Sequence, residues 1–302
     1  MAEARALFLA YDPGTTFWTP EDRLLVADTA AEVGSVSHRV AFSRRVGILL
    51  EDVSEAKRVV KGRRIGLRSF SLRGATAPAA DPRRLLEGLD ATVDLDAPEY
   101  EFTYVRGKEG YMILTRPNDM RQAWHLRRPR GRAFFHPSAI FPKLSRAMVN
   151  LTRVKEGEVL LDPFAGTGSL LLEAGEIGVL ALGLDLSPAM TKGAVANMHK
   201  QGQDWLGIAR ADAFHAPVSL VDAIATDAPY GRASTTHGRT ASDVVNSALE
   251  TLPRVLRPGR RMLLMHPKQA PVAPGRELEV EEEHDIYTHK RLTRTITILR
   301  RR

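Results

Sequence analysis

From Val154 onward the chain alternates short apolar runs with amphipathic stretches, and no other feature constrains its fold as tightly. "EVLLDP", "VLALGLDL", "WLGIARAD", "DAIATDAP" and "RRMLLMH" read as strands. Helices are predicted over "GTGSLLLEAGEIG", from Ser187 and Pro188 to Lys200, and over "ASDVVNSALETLPRVL". Ser187 serves as an N-cap, Pro188 as a first-turn proline and Gly202 as the stop of the second helix. Strands and helices in strict alternation imply a parallel, doubly wound sheet, so the fold class is α/β. The end of the chain differs. No helix separates "LEVEEEHDIY" from "RLTRTITILR", and these two runs should close the seven-stranded sheet as an antiparallel hairpin at one edge.

The first 120 residues read as a small α+β region. "RALFLAY" reads as a strand, and Thr19, Pro20, Glu21 and Asp22 read as the start of a helix from Glu21 to Val33. "SHRVAF" and "RIGLRSF" are predicted strands around a basic helix "VSEAKRVVKG", and Asp81 with Pro82 starts another short helix. "ATVDL", "EFTYVRG" and "GYMILTR" follow as strands, the last two joined as a hairpin through Gly107 to Gly110.

The 302 residues carry 43 Lys and Arg against 36 Asp and Glu, a net charge of +7 that is not spread evenly. Residues 121–153 hold 8 basic and no acidic side chains, whereas residues 1–120 carry 17 basic against 18 acidic and residues 154–302 carry 18 of each. A second stripe, residues 39–73, holds 10 basic against 3 acidic. Clustered charge of this kind suits either a polyanion partner or a solvated hinge. The chain contains no cysteine, which removes disulfides, thiolate metal sites and Cys nucleophiles. No stretch approaches the ~18 consecutive apolar residues of a membrane span, and the N-terminus lacks a cleavage-type segment. A soluble, unprocessed, cytoplasmic protein is expected.

Asp162-Pro-Phe-Ala-Gly166-Thr-Gly168 falls where the first strand of the alternating half hands over to its helix, the place where an open α/β sheet offers backbone N–H groups to a ligand. A dinucleotide fingerprint needs a further glycine at position 171, which is Leu171, so a pyrophosphate ligand is disfavoured. The second strand ends at Asp185, where a carboxylate accepts both hydroxyls of a ribose, and the third at Asp212, placed to meet an adenine amine. Three acids at consecutive strand ends make a nucleoside site without a phosphate clamp. The bland alternative is that each acid caps a loop. No residues have metal-ligand spacing, and a structural role is expected for His136, His215, His237 and His266.

The fourth strand ends in Asp227-Ala228-Pro229-Tyr230. Here the sequence resembles the class I S-adenosylmethionine-dependent methyltransferases that modify exocyclic amines of bases, whose fourth strand ends in Asp/Asn-Pro-Pro-aromatic. Ala228 departs from that pattern, but in the family this residue works through its backbone carbonyl. The residue types suit the chemistry. Acceptors at the two amine hydrogens, the Asp227 carboxylate and the Ala228 carbonyl, hold the amine toward a methyl sulfonium, and Tyr230 would stack on the extruded base. "FFHP", with His136 and Pro137, resembles the family segment that flanks the methionine end of the cofactor.

The run from "RGRAFFHP" through "VLLDPFAGTG", "GLDLSPAM" and "DAPYGR" to "HKRLTRTITILR" is similar to archaeal and eukaryotic THUMP-containing tRNA methyltransferases acting on the 2-amino group of guanosine 10. The resemblance implies a Rossmann-like catalytic domain over 154–302, a basic linker over 120–153 and a THUMP RNA-binding region over 1–119. It implies S-adenosyl-L-methionine as cofactor, with Asp162, Phe164, Gly166 and Gly168 lining it, Asp185 and Leu186 at its ribose, and Asp212 and Ala213 at its adenine. Asp227, Ala228, Pro229 and Tyr230 would hold the target guanine. Arg127, Arg128, Arg130, Arg132, Arg291 and Arg294 would contact tRNA phosphates, with neither a metal nor a membrane involved. Two other readings stay open on the residues. One is a DNA or rRNA amino-methyltransferase, although no DNA-recognition insertion follows Tyr230. The other is a binding protein for cofactor and RNA that has lost its chemistry, against which the intact acids stand.

Overall fold

The computed structural model describes residues 1–79, 81, 87–117, 122–229, 240–270, 272–289 and 292–302. The chain divides into two compact units, Met1–Gln122 and Ala123–Arg302. Residues 123–153, read from the sequence as a linker, lie within the second.

The first unit corrects several sequence readings. "RALFLAY" belongs to helix α1 (Ala2–Tyr11), not to a strand. Glu3, Ala6, Leu7 and Ala10 are buried at helical spacing, and Ala and Leu are strong helix formers. The Thr19-Pro20 signal starts no helix. Pro20 sits in β1 (Thr16–Glu21), which turns through Asp22 and Arg23, the latter at φ 67°, into β2 (Leu24–Asp28). The register shifts between Trp18 and Glu21, around the proline that has no N–H to give a ladder. Helix α2 (Val33–Ser37) follows. "SHRVAF" then runs irregularly, because the Glu3 carboxylate accepts the amides of Ala41 (2.8 Å) and Phe42 (3.0 Å) and so replaces a strand partner. The remaining elements are β3 (Ile48–Leu50), α3 (Lys57–Val60), β4 (Arg64–Ser71), β5 (Thr92–Val93), β6 (Tyr100–Arg106) and β7 (Gly110–Thr115). They form a five-stranded sheet in the order β3-β7-β6-β4-β5. The expected hairpin is present, with Arg106 opposite Gly110. The helix expected from Asp81 and Pro82 falls largely on residues outside those described.

The second unit follows the alternation. It runs α4 (Pro142–Leu151), β8 (Val159–Asp162), α5 (Ser169–Gly175), β9 (Leu180–Asp185), α6 (Pro188–Gln201), β10 (Gly207–Arg210), β11 (Ala223–Asp227), α7 (Ala241–Thr251), β12 (Arg261–Pro267), β13 (Leu278–His289) and β14 (Leu292–Arg301). The seven strands lie in the order β10-β9-β8-β11-β12-β14-β13. The first five are parallel, and β14 and β13 add the antiparallel edge hairpin. The order reverses direction between β8 and β11, so a crevice opens at the carboxyl ends of those strands. Helix α6 begins as predicted. Ser187 accepts the Met190 amide, Pro188 occupies the first turn, and Gly202 ends the helix at φ 66°. Every residue of β12 is buried, as befits a strand covered on both faces.

Two buried polar links fasten this unit. Glu173 on α5 is fully buried and accepts from Arg127 Nε at 2.8 Å and Arg146 Nη2 at 2.9 Å, tying the segment before α4, and α4 itself, to α5. Both guanidinium groups also lie over the Trp124 ring. At the end of β8, the Asp162 carboxyl accepts from Thr226 Oγ1 of β11 at 2.7 Å and from the Phe164 amide at 3.2 Å. Burial pushes Asp162 up from 3.8 to about 7.

Glu173→Gln removes the buried counter-charge that Arg146 and Arg127 share, leaving Arg127 with Glu176, and should cost about 3–5 kcal/mol in urea unfolding, whereas replacing Glu173, Arg127 and Arg146 together by apolar residues should cost less. Asp162 favours its protonated form in the folded state. Its contribution to stability is therefore complete below about pH 4 and is lost as pH rises through about 7. Asp162→Asn should flatten the fall in urea midpoint across that window, and an unchanged fall would contradict the assignment.

Candidate active site

The carboxyl ends of the parallel strands carry the predicted acids, and main-chain donors hold Asp162, Asp185 and Asp212. After β8 the loop turns at Gly166 (φ 52°) and Gly168 (φ 79°), left-handed conformations that disfavour any side chain. Gly166 N–H donates to Asp185 Oδ2 at 2.9 Å, and Asp185 Oδ1 takes the Ser187 amide at 2.8 Å. Asp185 at the end of β9 is thereby locked against the glycine loop. Gly183 allows this close approach, since a Cβ there would fall 2.7 Å from Leu171 and 3.0 Å from Ala165. Asp212 after β10 accepts the Phe214 amide at 3.0 Å and contacts His215 Nδ1 at 3.2 Å. The Phe164 and Phe214 rings meet edge to face at 5.9 Å, joining the first and third of these loops.

The loop-capping alternative thus holds for every one of the three acids, yet it does not exhaust them. An ionised carboxylate has about four acceptor positions. Each Asp185 oxygen takes one amide and keeps capacity for a hydroxyl. Leu186 beside it is exposed, Ala213 is buried under the Asp212 turn, and Asp212 itself is partly exposed. A Cβ at Gly166 would meet only the Phe164 carbonyl at 3.9 Å, so the outer side of the loop is open. These features fit a nucleoside bearing two ribose hydroxyls. Asp162 is the exception, because it is buried beneath the loop and engaged with Thr226.

The "FFHP" segment is tied to the same loop by a residue that sequence reading missed. Asn197 on α6 accepts the Phe134 amide at 2.7 Å and donates to the carbonyls of Phe134 (3.0 Å) and Thr167 (2.9 Å). The Phe134 ring lies against Gly193, where a Cβ would fall 2.1 Å from it. A buried asparagine within a helix whose inner face is Gly193, Ala194 and Met198 is the signal that marks it. His136 bonds Ser138 Oγ at 2.7 Å, and Pro137 is exposed. Among the described residues no cluster suits a metal ion.

Three of the arginines expected on tRNA are internal. Arg127 pairs with Glu173 and Glu176. Arg132 donates to Ser169 Oγ at 2.7 Å and to the Arg127 and Ile140 carbonyls, and burial lowers it to about 10. Arg294 is buried and paired with Asp227. In each case a carboxylate or fixed acceptor inside the protein takes the guanidinium, so these groups do not face a phosphate. Arg128 and Arg130 are exposed. Tyr230 and Arg291 lie outside the described residues. Asp227, at the end of β11, retains about 20% side-chain exposure, while Ala228 is buried, its amide on the Met265 carbonyl at 3.0 Å, and Pro229 is half-buried.

The family described as "UPF0020: RMKL-like, methyltransferase domain" matches residues 129–296. A Methanocaldococcus jannaschii protein named tRNA (guanine(10)-N2)-dimethyltransferase is 36% identical over 190 residues, 60% of this chain and 52% of that one. A Pyrococcus abyssi protein of the same name is 30% identical over 275 residues, 85% of this chain and 82% of its own length. The chain spans about half the length of the Methanocaldococcus jannaschii and Methanothermobacter thermautotrophicus relatives it matches, 52% and 53%. The crystal structure of TrmN from Thermus thermophilus shares the fold at a TM-score of 0.51 and 19% identity, covering 99% of this chain and 96% of that one. The chain belongs to the UPF0020 family of RMKL-like methyltransferase domains, alongside archaeal proteins named tRNA (guanine(10)-N2)-dimethyltransferase.

Proposed function

We propose that the protein is a cytoplasmic tRNA methyltransferase that transfers a methyl group from S-adenosylmethionine to the 2-amino group of guanosine 10. The observation that carries this reading is the Asp227 carboxylate at the end of β11, on the same sheet edge as the Gly166–Asp185 lock. Asp185 would hold the ribose of the cofactor, Asp212 and Ala213 its adenine, and the "FFHP" segment its methionine end. When bound, the cofactor supplies an electrophilic methyl on a sulfonium. Asp227 accepts a hydrogen bond from the target amine, turns its lone pair toward that methyl, and offsets the positive charge that develops on nitrogen. Transfer would form the N–CH3 bond as the S–CH3 bond breaks, with Asp227 holding the amine and the surplus amine proton passing to solvent.

Residues 1–119 are assigned to tRNA binding through a THUMP-type region and 154–302 to catalysis, with 120–153 carrying exposed Arg128 and Arg130. The names of the relatives support tRNA as substrate, as does the clustering of charge.

Asp227→Ala should lower kcat for methylation of a tRNA transcript by roughly 10²–10³-fold, with cofactor affinity by calorimetry within about twofold of wild type; wild-type turnover would remove Asp227 from the reaction. Replacing Arg128 and Arg130 by alanine should flatten the salt dependence of tRNA binding by about one slope unit per lost phosphate contact. An unchanged slope would place those two arginines away from the RNA.

A further inference from the structure

Arg294 sits where the fold brings a third strand to the proposed reacting edge. β11, β12 and β14 are neighbours, and their registers align Asp227 with Met265 and Met265 with Ile296. Side chains two residues apart on a strand leave the same face, so Arg294 shares the face of Ile296 and Asp227. It stands opposite Pro267, beyond Met265 along β12, and reaches across that strand to pair with Asp227. Arg294 is only 7% exposed, too little for a phosphate contact.

The neighbouring charges are engaged elsewhere. From β8, Asp162 takes Thr226, which precedes Asp227 and leaves β11 on the opposite face. From β12, His266 bonds Thr297 Oγ1 at 2.9 Å and the Pro267 carbonyl at 3.0 Å. From β13, Asp285 pairs with Lys268 and takes Thr295 Oγ1 at 2.8 Å. Among the described residues, Asp227 forms its ion pair with Arg294. Burial lowers Arg294 to about 10, which leaves it protonated at neutral pH.

We propose that Arg294 is a positioning residue for the methyl transfer: its guanidinium fixes the Asp227 carboxylate as an anion and aims its remaining acceptor positions at the target amine. This inference rests on the reading of Asp227 as the amine acceptor. A carboxylate covered by a nucleobase loses water and tends to take up a proton, which would destroy it as an acceptor. An adjacent guanidinium opposes that. The pair then presents a dipole with its negative end toward the nitrogen on which charge develops, while the guanidinium occupies the side away from it.

The test compares full-length wild type with Arg294→Met and Arg294→Lys. Asp227 is followed by carboxyl-carbon NMR, assigned with Asp227→Asn, and methylation of a tRNA transcript is followed across pH. In Arg294→Met the Asp227 titration should move up by about one unit or more. The acid limb of kcat/KM should move up with it, and kcat should fall roughly 10- to 100-fold while cofactor affinity stays within about twofold. Arg294→Lys, which keeps the charge, should restore the titration but only part of kcat. If Arg294→Met does not fold, Arg294→Gln replaces it in the same comparison. An Asp227 titration unchanged without the guanidinium, or an unchanged kcat and acid limb, would overturn the inference. A wild-type protein inert on tRNA would instead overturn the proposed function, and the NMR titration would still decide whether Arg294 sets the state of Asp227.

Discussion

Amide donors closing on aspartate carboxylates hold the strand ends of the second unit together, and the rest of the site depends on them. Gly166 and Ser187 close on Asp185, Phe164 and the Thr226 hydroxyl on Asp162, and Phe214 on Asp212. A parallel sheet alone fixes where its strands end but not where the intervening loops point. These bonds supply that second constraint. They cost little, because each also satisfies an amide that a loop at a sheet edge would otherwise leave to water. The same residues that cap loops are therefore able to bind, and the capping and binding readings of an acid at a strand end are not exclusive.

The electrical pattern resolves in the same way. The segment 121–153 has no acidic residue of its own, yet three of its arginines meet acceptors on α5: Arg127 and Arg146 the Glu173 carboxylate, and Arg132 the Ser169 hydroxyl. Its charge is divided between an internal set, Arg127, Arg132 and Arg146, that fastens the segment, and an exposed set that includes Arg128 and Arg130. The balanced count of residues 154–302 likewise conceals buried pairs, among them Arg294 with Asp227.

Much of the second unit was legible because its signals are local. The N-cap at Ser187, the stop at Gly202, the glycine turn and the apolar run Met262–Met265 of β12 each act within a few residues. The first unit was less legible where long-range partners decide. Glu3 holds residues 41 and 42 out of a strand, and Pro20 joins a hairpin that its own capping signal contradicts. In the site, strand-end acids could be read from spacing. Asn197 is marked only as a polar residue on the inner face of α6, and Thr226 and the burial of three arginines are not marked at all, since their partners are distant in sequence.

In the proposed function this sheet edge directs methyl transfer to one exocyclic amine. Nucleoside mass spectrometry with site mapping, after incubation of the wild-type protein with S-adenosylmethionine and an unmodified tRNA transcript, tests it most directly. A methyl group on the 2-amino nitrogen of guanosine 10 is expected. A methyl group on an adenine or cytosine amine, or at another nucleotide, would contradict it.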